Sequence, residues 1–262
     1  MKYALITGGS SGIGFAFSKQ LAAKSYSLLL VGNREDENRE AVRQLSRDYP
    51  INARYLTMDL SILEAAEQIF DFCKREQIEV EVLVNNAGMF FFDTVVNENY
   101  NRSKTMVQLH VTTPTLLCAM FGNEMKKRRK GYILNISSLS AWMPYPGIAI
   151  YAAGKRYIKN FSRSLAYELK DFGVNVSAIC PGAVDTDLYS LSINNRKLLR
   201  KYGIMHSPDK IAQIGIKALF RGKVIVIPGI LNKIIIGIIS FVPPILINFI
   251  KRKAKLKPFM DN

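Results

Sequence analysis

The sequence predicts an α/β fold, with a doubly wound parallel β-sheet covered by helices on both faces. Three observations predict it. Short apolar runs alternate with longer helical patterns along most of the 262 residues, and such alternation builds crossover units and a parallel sheet. The runs are continuously apolar, as strands covered on both faces must be. A glycine-rich turn, Thr7-Gly8-Gly9-Ser10-Ser11-Gly12-Ile13-Gly14, follows the first run and opens a helical pattern.

In chain order the strand candidates are Tyr3–Thr7, Ser27–Val31, Ala53–Met58, Val82–Asn85, Tyr132–Ser137, Asn175–Ile179 and Val224–Ile227. The first helix is expected from Ile13 to about Lys24, and Glu35 and Asp36 begin the next one, where negative charge suits the helix dipole. Ser207-Pro208 reads as a later helix start. No repeat and no Pro-, Gly- or Ser-rich linker divides the chain. The expected organisation is one domain over residues 1–229, followed by an apolar and basic extension over 230–262.

Composition narrows the classes. With 48% apolar residues the chain can fill a substantial core and is not a disordered or disulfide-framework sequence. Cys73, Cys118 and Cys180 lie far apart, each in an apolar stretch, with no metal-ligand spacing. They are expected to be buried reduced thiols, which implies a reducing compartment and a cytoplasmic setting. No secretion signal precedes the first strand. The formal charge of +15 is uneven: residues 190–262 hold fourteen Lys or Arg against two Asp or Glu. A basic end suggests an acidic partner surface. Nucleic acid is not expected, because the basic run lacks interleaved aromatics for stacking.

Four groups of residues carry chemistry. The glycine-rich turn lets the backbone approach a pyrophosphate, and the helix behind it offers unpaired N–H groups. Alone, such a turn can also be merely structural, a reading that the strand–turn–helix context weakens. In Tyr151-Ala152-Ala153-Gly154-Lys155, the Tyr and Lys share a helix face, and an ammonium beside a phenol favours the phenolate. At this spacing such a pair is more often a solvated helix face. Asn135-Ile136-Ser137-Ser138 ends one strand and Asn85-Asn86-Ala87-Gly88 ends another. Both therefore reach the carboxyl rim of the sheet, where ligands of parallel sheets bind.

Taken together and in order, these motifs over about Lys2 to Pro228 resemble the short-chain dehydrogenase/reductase family. The resemblance implies a Rossmann-like fold and hydride transfer to or from a nicotinamide cofactor. It implies that Ser138 hydrogen-bonds the substrate oxygen, that Tyr151 is the proton donor and acceptor, and that Lys155 holds the ribose hydroxyls and tunes Tyr151. Cofactor contacts are implied for Thr7, Gly8, Ser10, Ser11, Gly12, Ile13 and Gly14, for Asn86, Ala87 and Gly88, and for Pro181, Gly182, Val184 and Thr186. Asp59 and Leu60 match the adenine side. The chain departs from the family at one point. Where the family's tetrad has an Asn supporting a proton-relaying water, this chain has His110. That histidine can substitute as a relay, replace the Asn structurally, or mark weakened catalysis.

After the second strand come Gly32, Asn33 and Arg34. No carboxylate takes the first two positions to bind a ribose 2′-hydroxyl, and Arg34 can reach a 2′-phosphate, so NADP(H) is expected over NAD(H). Met89 to Phe92, Ala141 to Tyr145, and Leu188, Tyr189 and Leu191 make an apolar rim suited to a lipophilic carbonyl or alcohol, the alternative being that several of them simply pack under loops. A 3-oxo long-chain lipid, a 3-oxoacyl thioester or a steroid would fit. The competing class is a non-catalytic dinucleotide-binding sensor or scaffold at a membrane.

Between Lys233 and Lys251 lie 17 uncharged residues, the short limit for a membrane-spanning helix, interrupted by Pro243-Pro244. The expectation is a segment lying on an anionic leaflet at the inner face of a membrane. The alternative is packing on a partner subunit, and a homodimer or homotetramer is the expected assembly.

Overall fold

The computed structural model describes residues 2–92, 95–96, 100–143, 146–186 and 205–239. Its strands are β1 (Tyr3–Thr7), β2 (Ser27–Gly32), β3 (Ala53–Thr57), β4 (Val80–Asn85), β5 (Gly131–Ile136), β6 (Val174–Ile179), β7 (Ala183–Val184), β8 (Met205–His206) and β9 (Ile225–Val226). Among the described residues they form a seven-stranded sheet in the order β3-β2-β1-β4-β5-β6-β9. Every pairing in it is parallel, with Leu5 opposite Leu29 on one side and Leu83 on the other. Each of the seven expected sheet strands is present, with bounds that differ by two residues or fewer.

Helices alternate with the strands: α1 (Gly12–Ala22), α2 (Glu35–Asp48), α3 (Ala65–Arg75), α4 (Tyr100–Val107), α5 (Thr113–Arg128), α6 (Ala149–Leu169), α7 (Pro208–Phe220) and α8 (Ile230–Ile239). The first ends earlier than expected because Ser25 turns the chain into β2 with a left-handed φ of 62°. Glu35, Asp36 and Glu37 occupy the first turn of α2, as the dipole argument requires. Ser207 caps α7 by accepting from Lys210 N, with Pro208 in its first turn.

Alternate β1 residues feed two cores. Ala4 and Ile6 pack with Phe17 and Leu21 of α1 and Ile211 and Ile216 of α7. Tyr3 and Leu5 pack with Ile69 of α3, Leu117 of α5 and Leu169 of α6. Both faces of the sheet are thus covered, which explains why the strand sequences read as unbroken apolar runs. The cysteines are free and buried, as expected. Burial pushes the Cys73 and Cys118 thiols up to about 12 and the Cys180 thiol to about 11.

The strand order reverses between β1 and β4, and in such sheets the crevice outside the carboxyl ends at the reversal is the ligand site. A small second sheet, β7 with β8, follows Pro181-Gly182 and pins that loop at the same rim. It was not legible as strand sequence. Residues 240–262, with Pro243-Pro244 and the basic cluster, lie outside the described residues, as do Pro144, Tyr145, Leu188, Tyr189 and Leu191.

Candidate active site

The glycine-rich turn is shaped by close backbone approach. Gly8 has φ 62°, and a Cβ on Gly14 would stand 1.9 Å from Gly8 O and 2.5 Å from Asn86 Nδ2. Only glycine fits there. Thr7 ties the turn to β4: its Oγ1 accepts from Asn86 N and Ala87 N, both at 3.0 Å. Asn86 Nδ2 then donates to Thr7 O and Gly8 O. Ser11 caps α1 in extended conformation without a side-chain cap bond, so the helix's first N–H groups keep their capacity for an anion.

This turn forms one wall of a cleft of about 840 Å³ at the carboxyl rim. The volume suits a cofactor with a small substrate. The cleft brings together Gly8, Ser10, Ser11, Gly12, Ile13, Asn33, Arg34 and Leu60 with Asn86, Ala87 and Gly88. Pro181, Gly182, Val184 and Thr186 line it, as do His110, Ser138, Tyr151 and Lys155. Of the residues implied as cofactor contacts, Thr7, Gly14 and Asp59 do not line it. The first two hold the turn from behind. Asp59 Oδ1 accepts from Ser61 N and Ser61 Oγ at 2.9 and 2.8 Å, a local turn rather than a ligand wall. Ala141, Trp142 and Met143 are also absent from the lining; Trp142 lies under the Lys159 ammonium, 4.1 Å from its ring centre.

Ser138, Tyr151 and Lys155 sit where β5 ends and α6 begins. Ser138 is extended and caps a single 3-10 turn, Leu139–Trp142, its Oγ accepting from Ser140 N at 3.1 Å. Tyr151 and Lys155 lie one turn apart on α6, both 7% exposed. Lys155 Nζ donates to Ile136 O at 3.0 Å and stands 5.6 Å from the Tyr151 ring centre. Desolvation brings the Lys155 pKa down to about 8. Ser137 Oγ donates to Lys155 O at 2.7 Å and locks the helix to the strand. Of the expected apolar rim Met89 lines the cleft and Phe90, Phe91 and Phe92 do not; Phe90 instead packs edge-on against the Tyr151 ring at 4.9 Å and Phe92 against Phe90 at 5.1 Å.

His110 lies in a π-helical turn, Gln108–Thr112, between α4 and α5. Such turns often mark functional positions. Its Nε2 accepts from Met89 N at 3.1 Å, and its ring centre is 5.5 Å from that of Tyr151. Burial, then the Lys155 charge, hold its pKa well below the usual range. His206 lies in β8 and is not among the cleft-lining residues.

Sequence reasoning missed the acidic wall beside Arg34. Glu37 and Glu40 both line the cleft, and Arg34 Nη1 is paired with Glu37. The only sequence signal was the spacing of three between them on an expected helix. Asp185, next to Thr186 in the lining, was also missed.

Residues 2–196 match the family model described as short chain dehydrogenase. A hydroxysteroid dehydrogenase-like protein 1 from Gallus gallus is 30% identical over 194 residues, covering 73% of this chain and 58% of that protein. A very-long-chain 3-oxoacyl-CoA reductase from Mus musculus is 30% identical over 193 residues, covering 71% and 61%. The chain thus spans about three-fifths of the length of these curated relatives. A short-chain dehydrogenase from Sphingobium yanoikuyae, solved in complex with NADPH, superposes with TM-score 0.77 at 24% identity, over 93% of this chain and 97% of that one. The match over residues 2–196 shows the family: the chain belongs to the short chain dehydrogenase family.

Proposed function

We propose that the protein is an NADP(H)-dependent oxidoreductase that reduces a ketone, or oxidises the corresponding secondary alcohol, on a lipophilic substrate. The observation that carries the reading is the Lys155 ammonium, buried, held by Ile136 O, and set beside Tyr151 in the wall of the cleft. A cation confined there stabilises the phenolate left when Tyr151 gives up its proton. A solvated helix face has no need of a buried lysine bonded to a strand carbonyl, so the arrangement speaks against that reading of the Tyr151/Lys155 pair.

The glycine cradle and the open N-terminus of α1 fit a dinucleotide diphosphate. Gly8 to Ile13 would hold it, Asn33 and Arg34 the 2′-phosphate, Lys155 the ribose hydroxyls, and Pro181, Gly182, Val184 and Thr186 the nicotinamide end. When bound, that cofactor supplies or accepts the hydride. Ser138 Oγ donates a hydrogen bond to the substrate oxygen and orients it. Tyr151 gives its phenolic proton to that oxygen in reduction and takes it back in oxidation. Arg34 favours the phosphorylated cofactor, and its pairing with Glu37 weakens that preference without removing it.

Met89 in the cleft lining and Phe90 packed on the Tyr151 ring support an apolar substrate, and both curated relatives named above carry lipid or steroid names. The described part of the C-terminal segment supports contact with an anionic membrane surface. On α8, Ile230, Ile234 and Ile238 are exposed at a spacing of four and present one apolar stripe, beside exposed Leu231. Among the described residues no helix is long and apolar enough to cross a membrane. The test is NADPH and NADH oxidation by the full chain against a panel of long-chain 3-oxo esters, 3-oxoacyl thioesters, ketosteroids and small polar ketones. Turnover confined to the apolar carbonyls with NADPH supports the reading; turnover of none, with the cofactor bound, removes it.

A further inference from the structure

The C-terminal helix α8 inverts the usual distribution of side chains. Ile230, Ile234 and Ile238 are exposed, and among the described residues of the helix Asn232 alone is buried, at 3% exposure. Burying an amide while isoleucines stay in solvent costs free energy unless the amide is bonded. Its Nδ2 donates to Pro228 O at 2.7 Å, which fixes the side chain at the start of the helix. The amide covers Gly182: a Cβ there would stand 2.8 Å from Asn232 Oδ1, 3.0 Å from Nδ2 and 3.2 Å from Cγ. Gly182 is not among the glycines with left-handed φ. The space taken by Asn232, and not the backbone, therefore requires glycine at this point.

The contact completes a set of supports around loop 181–186, which lines the cleft. Pro181 O accepts from Leu139 N at 2.8 Å, tying the loop to the turn that Ser138 caps. Beyond Gly182 the chain enters β7, and Asp185 N donates to His206 O of β8 at 2.9 Å. His206 in turn packs on Gly229, whose Cβ would meet its Cε1 and Nε2 at 3.1 Å. Gly229 leads into α8 with φ 86°. Opposite, Thr186 Cγ2 lies 3.4 Å from where a Cβ on Gly12 would stand, so the loop also reaches the glycine-rich turn. Asn232 is not itself a cleft-lining residue.

We propose that Asn232 is a positioning residue: it clamps Gly182 and so sets where loop 181–186 stands in the cleft. The C-terminal segment is then part of the frame of the active site without touching substrate or cofactor. The consequence for hydride transfer rests on the proposed oxidoreductase reading, in which this loop holds the nicotinamide end; the clamp on the loop does not.

Amide hydrogen exchange in the full chain without cofactor reads the clamp directly. In Asn232→Ala, exchange at Asp185 N and Leu139 N should quicken by about tenfold, the weight of one buried hydrogen bond. Gly8 N, bonded to Val31 O in the opposite wall, should keep its wild-type rate. Gly182→Ala keeps Asn232 and probes the same contact from the other side: the added Cβ should quicken the same two amides. The double variant should exchange more slowly than Gly182→Ala alone, because the Cβ enters the space that the amide has left. Quickening that includes Gly8 N equally, unchanged rates at Asp185 and Leu139, or additive effects in the double variant each overturns the proposal. With NADPH bound, single-turnover hydride transfer in Asn232→Ala should slow by about 100-fold, the cost of a misplacement of about 1 Å, while NADPH affinity changes far less. Hydride transfer at the wild-type rate in a variant whose loop has loosened overturns the positioning role. The predicted exchange pattern in a protein that reduces no carbonyl leaves the clamp standing and removes the catalytic reading. Carbonyl reduction by a protein whose loop ignores Asn232→Ala does the reverse.

Discussion

Lys155→Met is expected to stabilise the protein and to inactivate it. The lysine is buried, and burial brings its pKa from 10.5 to about 8. At about 1.4 kcal/mol per pKa unit, holding the ammonium inside costs about 3 kcal/mol below that pH. Methionine has similar reach and removes this cost. It also leaves Ile136 O without its 3.0 Å donor, a loss of about 1–2 kcal/mol. The net gain at neutral pH is therefore about 1–2 kcal/mol. Its pH dependence has a fixed sign. Between about 8 and 10.5 the unfolded lysine is protonated and the folded one is not, so the unfolded state binds more protons and wild-type stability rises with pH. The contribution is fully present above the unfolded pKa and is lost as pH falls through the folded one. Urea unfolding of both proteins at neutral pH and at about pH 10 isolates the lysine, because subtracting the pair cancels the other groups. The methionine protein should be ahead at neutral pH and lose that lead in the alkaline sample. A variant less stable at neutral pH, or a difference that does not move with pH, refutes the account of Lys155 as a buried ammonium.

Other outcomes follow from the same geometry. Arg34→Ala should weaken NADPH binding more than NADH binding, by about 1.5–3 kcal/mol for a charged hydrogen bond, in fluorescence titration; equal losses would show that Arg34 does not read the phosphate. Glu37→Gln should tighten NADPH binding by freeing Arg34 from its pair, and unchanged affinity would mean that the pair does not compete with the ligand. Ile234→Asp, on the exposed stripe of α8, should reduce co-sedimentation of the full chain with anionic vesicles at low salt. Salt itself should weaken the electrostatic share, which is screened over about 8 Å at physiological strength. A full chain that stays in the supernatant with such vesicles argues for packing on a partner instead.

Much of this molecule is written locally in its sequence. The seven sheet strands announce themselves as apolar runs because both faces are covered, and the Thr7 to Gly14 turn is legible because its glycines fall between a strand run and a helical pattern, although the contacts that require them come as much from Asn86 and Ala87 as from the turn itself. Ser138, Tyr151 and Lys155 meet at one rim because strand ends and helix starts in a parallel sheet must. What was not legible depends on distant partners. The π-helical turn at His110 is tied to Met89 across a loop. Glu37 faces the cleft through the phase of α2, which spacing alone does not give. The two-residue strands β7 and β8 are too short for any pattern to show.

The central claim is that Tyr151 moves the proton in a carbonyl reduction, and single-turnover NADPH oxidation by Tyr151→Phe tests it most directly. Phenylalanine keeps the ring that packs against Phe90 and His110 and deletes only the hydroxyl. The account predicts NADPH binding nearly unchanged and hydride transfer slowed by about 100- to 10,000-fold, the loss of a positioned acid. Turnover near that of the wild type, with the cofactor bound as tightly, would contradict it.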